Sequence, residues 1–329
     1  MLKDIIGNRQ IKEILAFKIQ AAKQKNEPLS HILLEGSSGC GKTSTARAIA
    51  KELGSSLIEV SGKSIQSLAD LHRLFRQIHN SAQYPVILLD EAHALKGELQ
   101  EVLGLAMETF TLSQGTNENL FKESAVKFSL LACTTVPSQL CRPFRDRFSL
   151  ALHFQPYSLI DSIEIAKFHA WKNGVFLDDN AALEIAKRAK GIGRMICNYL
   201  KNIQDYAVAR YNGAKVLTRD IVLKSFNLLD IDDIGLTAID RKLLNYLHSQ
   251  NRPVGLQNLT AVLDYDAETI CSTLEPPLLA QELISRTPKG RVLTEKGKVH
   301  LLTSGYAESE SLVAETIDWV IEQRKVAVG

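Results

Sequence analysis

The chain has 329 residues, 45% of them apolar, with a formal net charge of +2 and five cysteines. That length predicts two or three domains. The apolar share excludes a disordered chain, and the near-neutral charge excludes a global cationic field, so any nucleic-acid contact must rest on a local basic patch.

Cys40, Cys133, Cys141, Cys197 and Cys271 are spread without a C-x-x-C pair, which argues against a zinc site or a disulfide framework and suits a reducing cytoplasm. No apolar run approaches the ~18 residues of a membrane span, and MLKDIIGNRQ has no signal-peptide core. After a short IIG segment, Ile11, Ile14, Leu15, Phe17, Ile19 and Ala22 recur at helical spacing. Ile32, Leu33 and Leu34 read as a buried parallel strand. The loop that follows, Gly36 to Thr43, fits G-x-x-x-x-G-K-[ST], and Ala46, Ile49, Ala50 and Leu53 continue it as a helix. Strand, glycine loop and helix together make a phosphate cradle. The glycines allow close approach of backbone N–H groups, the helix N-terminus adds positive potential, Lys42 brings a point charge, and Thr43 offers a hydroxyl to Mg²⁺.

Residues 56–61 predict a second strand and residues 66–79 a helix. Pro85 opens a further buried strand, Val86 to Leu89, which ends in Asp90 and Glu91. Strands alternating with helices indicate a doubly wound α/β core, whose ligands sit at the carboxyl ends of the strands. After a P-loop, an acidic pair at a strand tip is a Walker B arrangement: Asp90 would bind Mg²⁺ and Glu91 would orient or deprotonate the attacking water. Residues 98–110 predict a helix, and 111–127 a polar hairpin. Phe128 to Ala132 predict a strand that ends in Cys133, Thr134 and Thr135, where a hydroxyl can reach a γ-phosphate or the lytic water. In RPFRDRF, Arg142 to Phe148, three arginines lie in six residues. Local sequence leaves open whether they form a solvated face or supply an arginine finger to a neighbouring subunit.

Helices over 158–171, 177–188 and 219–228, with Arg194 opening another after Gly193, suit a lid over a nucleotide with Arg194 pointing at the phosphates; taken alone, Arg194 reads more readily as a surface charge. From Leu236, three short helices and a hairpin around Pro288-Lys289-Gly290 describe a winged helix. Its third helix carries Asp266, Glu268 and Glu275, a poor surface for a major groove. The wing carries Arg286, Lys289 and Arg291, which predicts a phosphate grip with weak base reading, against the alternative of a domain for protein contacts. Ser304 to Gly329 read as an added amphipathic helix.

These motifs, in this order, resemble the RuvB family of hexameric AAA+ motors that drive branch migration of Holliday junctions. The resemblance spans about residues 2–301 and rests on GSSGCGKTS, LLDEAH, FSLLACTT, RPFRDRF, KGIGRMICNYL and ISRTPKGR. It implies an AAA+ core over 1–157, a helical lid over 158–232 and a winged helix over 233–302; the helical tail over 303–329 has no counterpart in the family and is set apart as a segment of its own. It implies ATP and Mg²⁺ as ligands, a homohexameric ring, DNA as partner and a cytoplasmic location. Ile6, Gly39, Cys40, Gly41, Lys42, Thr43, Ser44, Tyr157 and Arg194 would bind the nucleotide, with Arg194 as sensor 2. Thr43 and Asp90 would hold the metal. Glu91, Lys42, Thr134, Thr135 and the finger Arg147 would be catalytic, and the wing arginines Arg286 and Arg291 would contact DNA, with Lys289 added by the wing's charge pattern. Ser37 and Ser38 replace a proline pair of the family's P-loop. The 111–127 hairpin is shorter and more polar than the one with which the family binds RuvA, so a RuvA-like partner carries over less directly than the motor. A nucleotide-switched, clamp-loader-like ATPase without sustained translocation is the alternative that the residues leave open.

Overall fold

Residues 2–81, 84–114, 121–124 and 126–303 are described by the structure, a computed structural model; the 304–329 tail and the bend of the 111–127 hairpin lie outside them. The chain divides into two units: Met1–Val175 with Gly191–Lys201, and Phe176–Lys190 with the residues from Asn202 on. The segment expected to form one lid is thus shared between the two.

The first unit contains helix α1 (Arg9–Lys25), strand β1 (Ile32–Gly36), α2 (Lys42–Leu53), β2 (Leu57–Ser61), α3 (Leu68–His79), β3 (Val86–Asp90) and α4 (Gly97–Thr109). The antiparallel pair β4 (Thr111–Gln114) and β5 (Phe121–Ser124) follows, then β6 (Ser129–Thr134), α5 (Arg142–Arg145), β7 (Leu150–Phe154) and α6 (Leu159–Lys172). Five strands form one parallel sheet in the order β2-β3-β6-β1-β7. Their side chains alternate between two cores, as the period-two geometry of a strand requires. Leu33, Ile87, Leu89, Leu130 and Ala132 face α3 and α4. Ile32, Leu34, Val86, Leu88 and Leu131 face α1 and α2. With both faces covered, β3 and β6 read as nearly unbroken apolar runs.

Because every strand of this sheet runs the same way, all the carboxyl ends share one edge. The register sets Ser61 opposite Asp90, and Glu35 opposite Thr134, so the P-loop, the acidic tip and the threonine tip converge there. Strand β6 lies between β1 and β3, which opens the crevice between their outgoing loops.

The second unit contains α7 (Asp179–Ala189), the later turns of α8 (Gly193–Arg210), α9 (Arg219–Leu228) and a two-residue parallel pair β8 (Phe176–Leu177) and β9 (Val216–Leu217). A winged helix then follows: α10 (Ala238–Gln250), α11 (Leu256–Leu263), α12 (Ala267–Thr269), a π turn (Ile270–Leu274), α13 (Glu275–Ala280), the hairpin β10 (Ile284–Thr287) and β11 (Gly290–Leu293), and α14 (Glu295–Thr303). Leu236, Leu243, Leu247, Leu259, Ile270, Leu278 and Leu301 build its core. Among the described residues no helix is long and apolar enough to cross a membrane.

Candidate active site

The P-loop leaves β1 at Gly36 and turns into α2 at Lys42. Gly39 and Gly41 take φ of +80° and +92°, a region L side chains rarely adopt, which turns successive N–H groups inward. Lys42 is 6% exposed and folds back, its ammonium donating to the carbonyls of Gly36 at 2.6 Å and Ser37 at 2.7 Å. Burial pulls its pKa below the ordinary lysine value, and Arg194 adds to that pull; Cys133, Cys40 and Asp90 oppose it.

Thr43 and Asp90 meet across this cradle, with the hydroxyl donating to Oδ2 at 3.1 Å. A hydroxyl and a carboxylate on one spot are the hard oxygen donors Mg²⁺ takes beside phosphate oxygens, so the residues present fit that ion. Glu91 follows with φ of +49°, and its backbone lies so close to Gly62 that a Cβ there would overlap the Glu91 carbonyl. Its carboxylate pairs with Lys63 at 3.1 Å. Thr134 is buried; its hydroxyl accepts from the Val136 amide at 3.1 Å and lies 3.2 Å from His93 Nδ1. Thr135 is exposed.

Tyr157 is wedged among three glycines from separate segments. A Cβ at Gly41 would overlap its hydroxyl, one at Gly7 would stand 2.9 Å from its ring, and one at Gly193 3.2 Å. Burial pushes its phenol up to about 12, so it is a neutral hydroxyl at the mouth of the P-loop.

These groups line one cavity of about 690 Å³, well within the range of nucleotide-sized pockets. Of the residues singled out in the sequence, Ile6, Gly39, Gly41, Lys42, Thr43, Ser44, Asp90, Glu91, Thr134, Thr135, Tyr157 and Arg194 line it. Cys40 stands apart: its side chain is fully buried in the core beneath the loop, so its backbone alone is available to a phosphate. Arg147 does not line the cavity of its own chain.

His93, Arg47 and His169 line the cavity without having been singled out by the sequence. His93 was accessible to sequence reasoning, since it sits two residues beyond the Walker B glutamate. Arg47 and His169 lie on helices where nothing local marks them. In the second unit, Arg286 and Arg291 face each other across the wing hairpin, and both grip Glu275. Lys289 sits exposed at the turn.

Three family signatures match the chain in succession: the Holliday junction DNA helicase RuvB P-loop domain over residues 1–154, the RuvB AAA lid domain over 157–232, and the RuvB C-terminal winged helix domain over 233–302. The chain is 34% identical over 307 residues to the Holliday junction branch migration complex subunit RuvB of Lactobacillus gasseri, covering 92% of this chain and 89% of the relative. The corresponding subunit of Lactobacillus johnsonii matches over the same span. Among solved structures, the Thermotoga maritima RuvB Holliday junction branch migration motor superposes with a TM-score of 0.76 at 34% identity, over 90% of this chain and 95% of that one. A point mutant of that Thermotoga maritima RuvB gives 0.79 at 34% identity, over 91% and 97%.

Proposed function

Since the chain belongs to the RuvB family of P-loop ATPases, we propose that it is an ATP-driven motor that moves four-way DNA junctions. The observation that supports this best is the meeting of phosphate cradle, acidic strand tip, Thr134 and Arg194 in one cavity at the carboxyl edge of the sheet.

In this reading the N–H groups of Gly39 to Ser44 hold the β- and γ-phosphates. The Lys42 ammonium leaves the Gly36 and Ser37 carbonyls for phosphate oxygens. Its present carbonyl partners hold it aimed along the loop. Thr43 and Asp90 would hold Mg²⁺, whose charge offsets that building on the transferred phosphoryl group. Glu91 orients the attacking water and takes its proton. Its ion pair with Lys63 holds the carboxylate aside until nucleotide is bound. Thr134, held by His93 and the Val136 amide, presents a hydroxyl beside the γ-phosphate. Tyr157 closes the mouth of the loop as a neutral donor, and Arg194 senses the γ-phosphate. Arg147 belongs to a neighbour's cavity, so turnover needs a ring, in keeping with a homohexamer. The wing supplies the DNA grip. A RuvA-like protein would dock on the 111–127 hairpin.

The test is a synthetic four-way junction with ATP and Mg²⁺. The protein resolves it into duplex products, with turnover rising steeply with protein concentration as rings assemble. Glu91→Gln keeps ATP affinity and loses on the order of 10²–10⁴ in turnover. Hydrolysis that proceeds equally fast in isolated subunits, or that never moves the junction even with a RuvA-like protein added, overturns the reading. In the second case the nucleotide-switched alternative takes its place.

A further inference from the structure

Arg147 is the one arginine of RPFRDRF whose side chain is laid into the fold. Arg142 is 91% exposed and reaches Asp146 at 3.5 Å. Arg147 is 22% exposed and lies across α4. Gly104, in the middle of that helix, makes the room: a Cβ there would stand 3.1 Å from Arg147 Cδ and 3.3 Å from Phe144 Cδ2. Phe144 is fully buried and stacks edge-on against Phe148 with ring centroids 5.1 Å apart, so the backbone on both sides of Arg147 is anchored.

At the far end of the side chain, Nη1–H donates to the Pro143 carbonyl at 2.6 Å. Nε stands 3.2 Å from the carboxylate of Glu108, in the last turn of α4. This second contact is an ion pair without hydrogen-bond alignment, and the buried Nε–H has no hydrogen-bond acceptor among the described residues. Two sides of the guanidinium are therefore spoken for, one by a backbone carbonyl of its own turn and one by a charge on another helix.

We propose that Glu108 is a positioning residue for Arg147, fixing the guanidinium so that its remaining Nη2 edge is offered outward to a neighbouring subunit's nucleotide. This rests on reading Arg147 as the finger that acts in trans. A free arginine on the surface samples many rotamers, and a donor that must be ordered while charge develops stabilises the transition state less than one already in place. The Pro143 carbonyl alone fixes one nitrogen and leaves the plane free to pivot about it. Glu108 supplies the second point that removes the pivot. The contact is half-exposed and adds little to fold stability; its effect is on orientation.

The test compares Glu108→Ala, Glu108→Gln, Arg147→Ala and the double variant Glu108→Ala/Arg147→Ala as assembled rings on junction DNA, reading kcat, KM for ATP, ring assembly and melting temperature. Glu108→Ala lowers kcat on the order of ten- to a hundredfold, as expected for a misplaced catalytic group, with KM, assembly and melting temperature unchanged. Glu108→Gln, which keeps an acceptor but no charge, falls between it and the parent protein. Arg147→Ala loses roughly 10³-fold or more, and the double variant is no worse than Arg147→Ala alone. If Arg147→Ala is impaired but Glu108→Ala turns over at the parent rate or faster, the positioning role is wrong and the finger stands. If Arg147→Ala turns over normally, the finger reading itself is wrong and this inference falls with it. If the losses of the two single variants multiply in the double variant, Glu108 acts by another route and the inference is again overturned.

Discussion

His31 shows how much a single side chain can hold without any motif to announce it. It precedes β1 and reaches two other elements: Nδ1 accepts from the Leu130 amide of β6 at 2.9 Å, and Nε2 lies 3.0 Å from the Met107 carbonyl of α4. Only the neutral ring with its proton on Nε2 satisfies both. Burial lowers its pKa, with the Met107 carbonyl opposing. The unfolded chain then takes up a proton first, so this histidine's contribution is complete above its unfolded value of about 6.5 and is lost as pH falls below it. Urea unfolding followed from pH 7 to pH 5 is expected to show stability falling by up to about 1.4 kcal/mol per pH unit from this group. In His31→Phe that increment disappears, along with about 1–3 kcal/mol at pH 7 from the amide and carbonyl left unpaired. An unchanged pH slope in the variant would show that another group titrates. The P-loop residues were readable from spacing because a phosphate cradle is a local device. His31 was not, and neither was the setting of Tyr157, which depends on glycines at 7, 41 and 193 that only the folded chain brings together.

Among the elements, the wing departs furthest from its expectation. A basic hairpin beside an acidic third helix reads as a phosphate grip, and the acids look like a surface liability. The structure instead puts Glu275 at 0% exposure between the two arginines. The π turn over Ile270–Leu274 directly precedes Glu275, which opens α13. Arg286 donates to it from Nε at 2.8 Å and Arg291 from Nε at 2.6 Å, and Arg291 Nη2 reaches Cys271 Sγ at 3.4 Å. With Arg291 only 15% exposed, its charge is largely committed to the fold. Periodicity located the hairpin strands but read 266–283 as one helix, where the structure breaks it with the π turn and ends α13 at Ala280; an interruption that changes which face a residue takes has no periodic signature. Glu275→Ala leaves two cations together with no counterion and is expected to cost about 3–5 kcal/mol, the range for breaking a buried pair. The measurement is the melting of the winged-helix signal in the full chain, and a loss under about 1 kcal/mol would mean that water already screens the cluster. Glu275→Gln, which keeps the acceptor oxygen, is expected to lie between.

For the molecule as a whole, a net charge of +2 leaves no long-range field to pull DNA in, so binding must depend on which few cations are free to release counterions. Counting Arg286, Lys289 and Arg291 as three phosphate contacts would predict a slope of log K against log salt of roughly −3 per wing. The geometry divides them unequally. Lys289 is exposed at the hairpin turn. Arg286 keeps about half of its side chain in solvent while sharing Glu275, and Arg291 is mostly enclosed. The expected slope therefore lies nearer about −1.5 than −3 for each wing on DNA, by the same counting. Lys289→Ala should weaken junction binding equally across sequences and reduce the slope by about one per engaged wing, without changing the melting temperature. Arg291→Ala should do the reverse, lowering melting temperature because the buried Glu275 loses one of its two arginine partners and keeps only the half-exposed Arg286 of the pair, while moving the slope little. Titrations of fluorescent junction DNA at several salt concentrations, run beside melting curves for both variants, separate these outcomes. If Arg291→Ala removes a full unit of slope with no loss of stability, that guanidinium swings out to meet phosphate, and the Glu275 pairing is a resting arrangement that DNA dismantles.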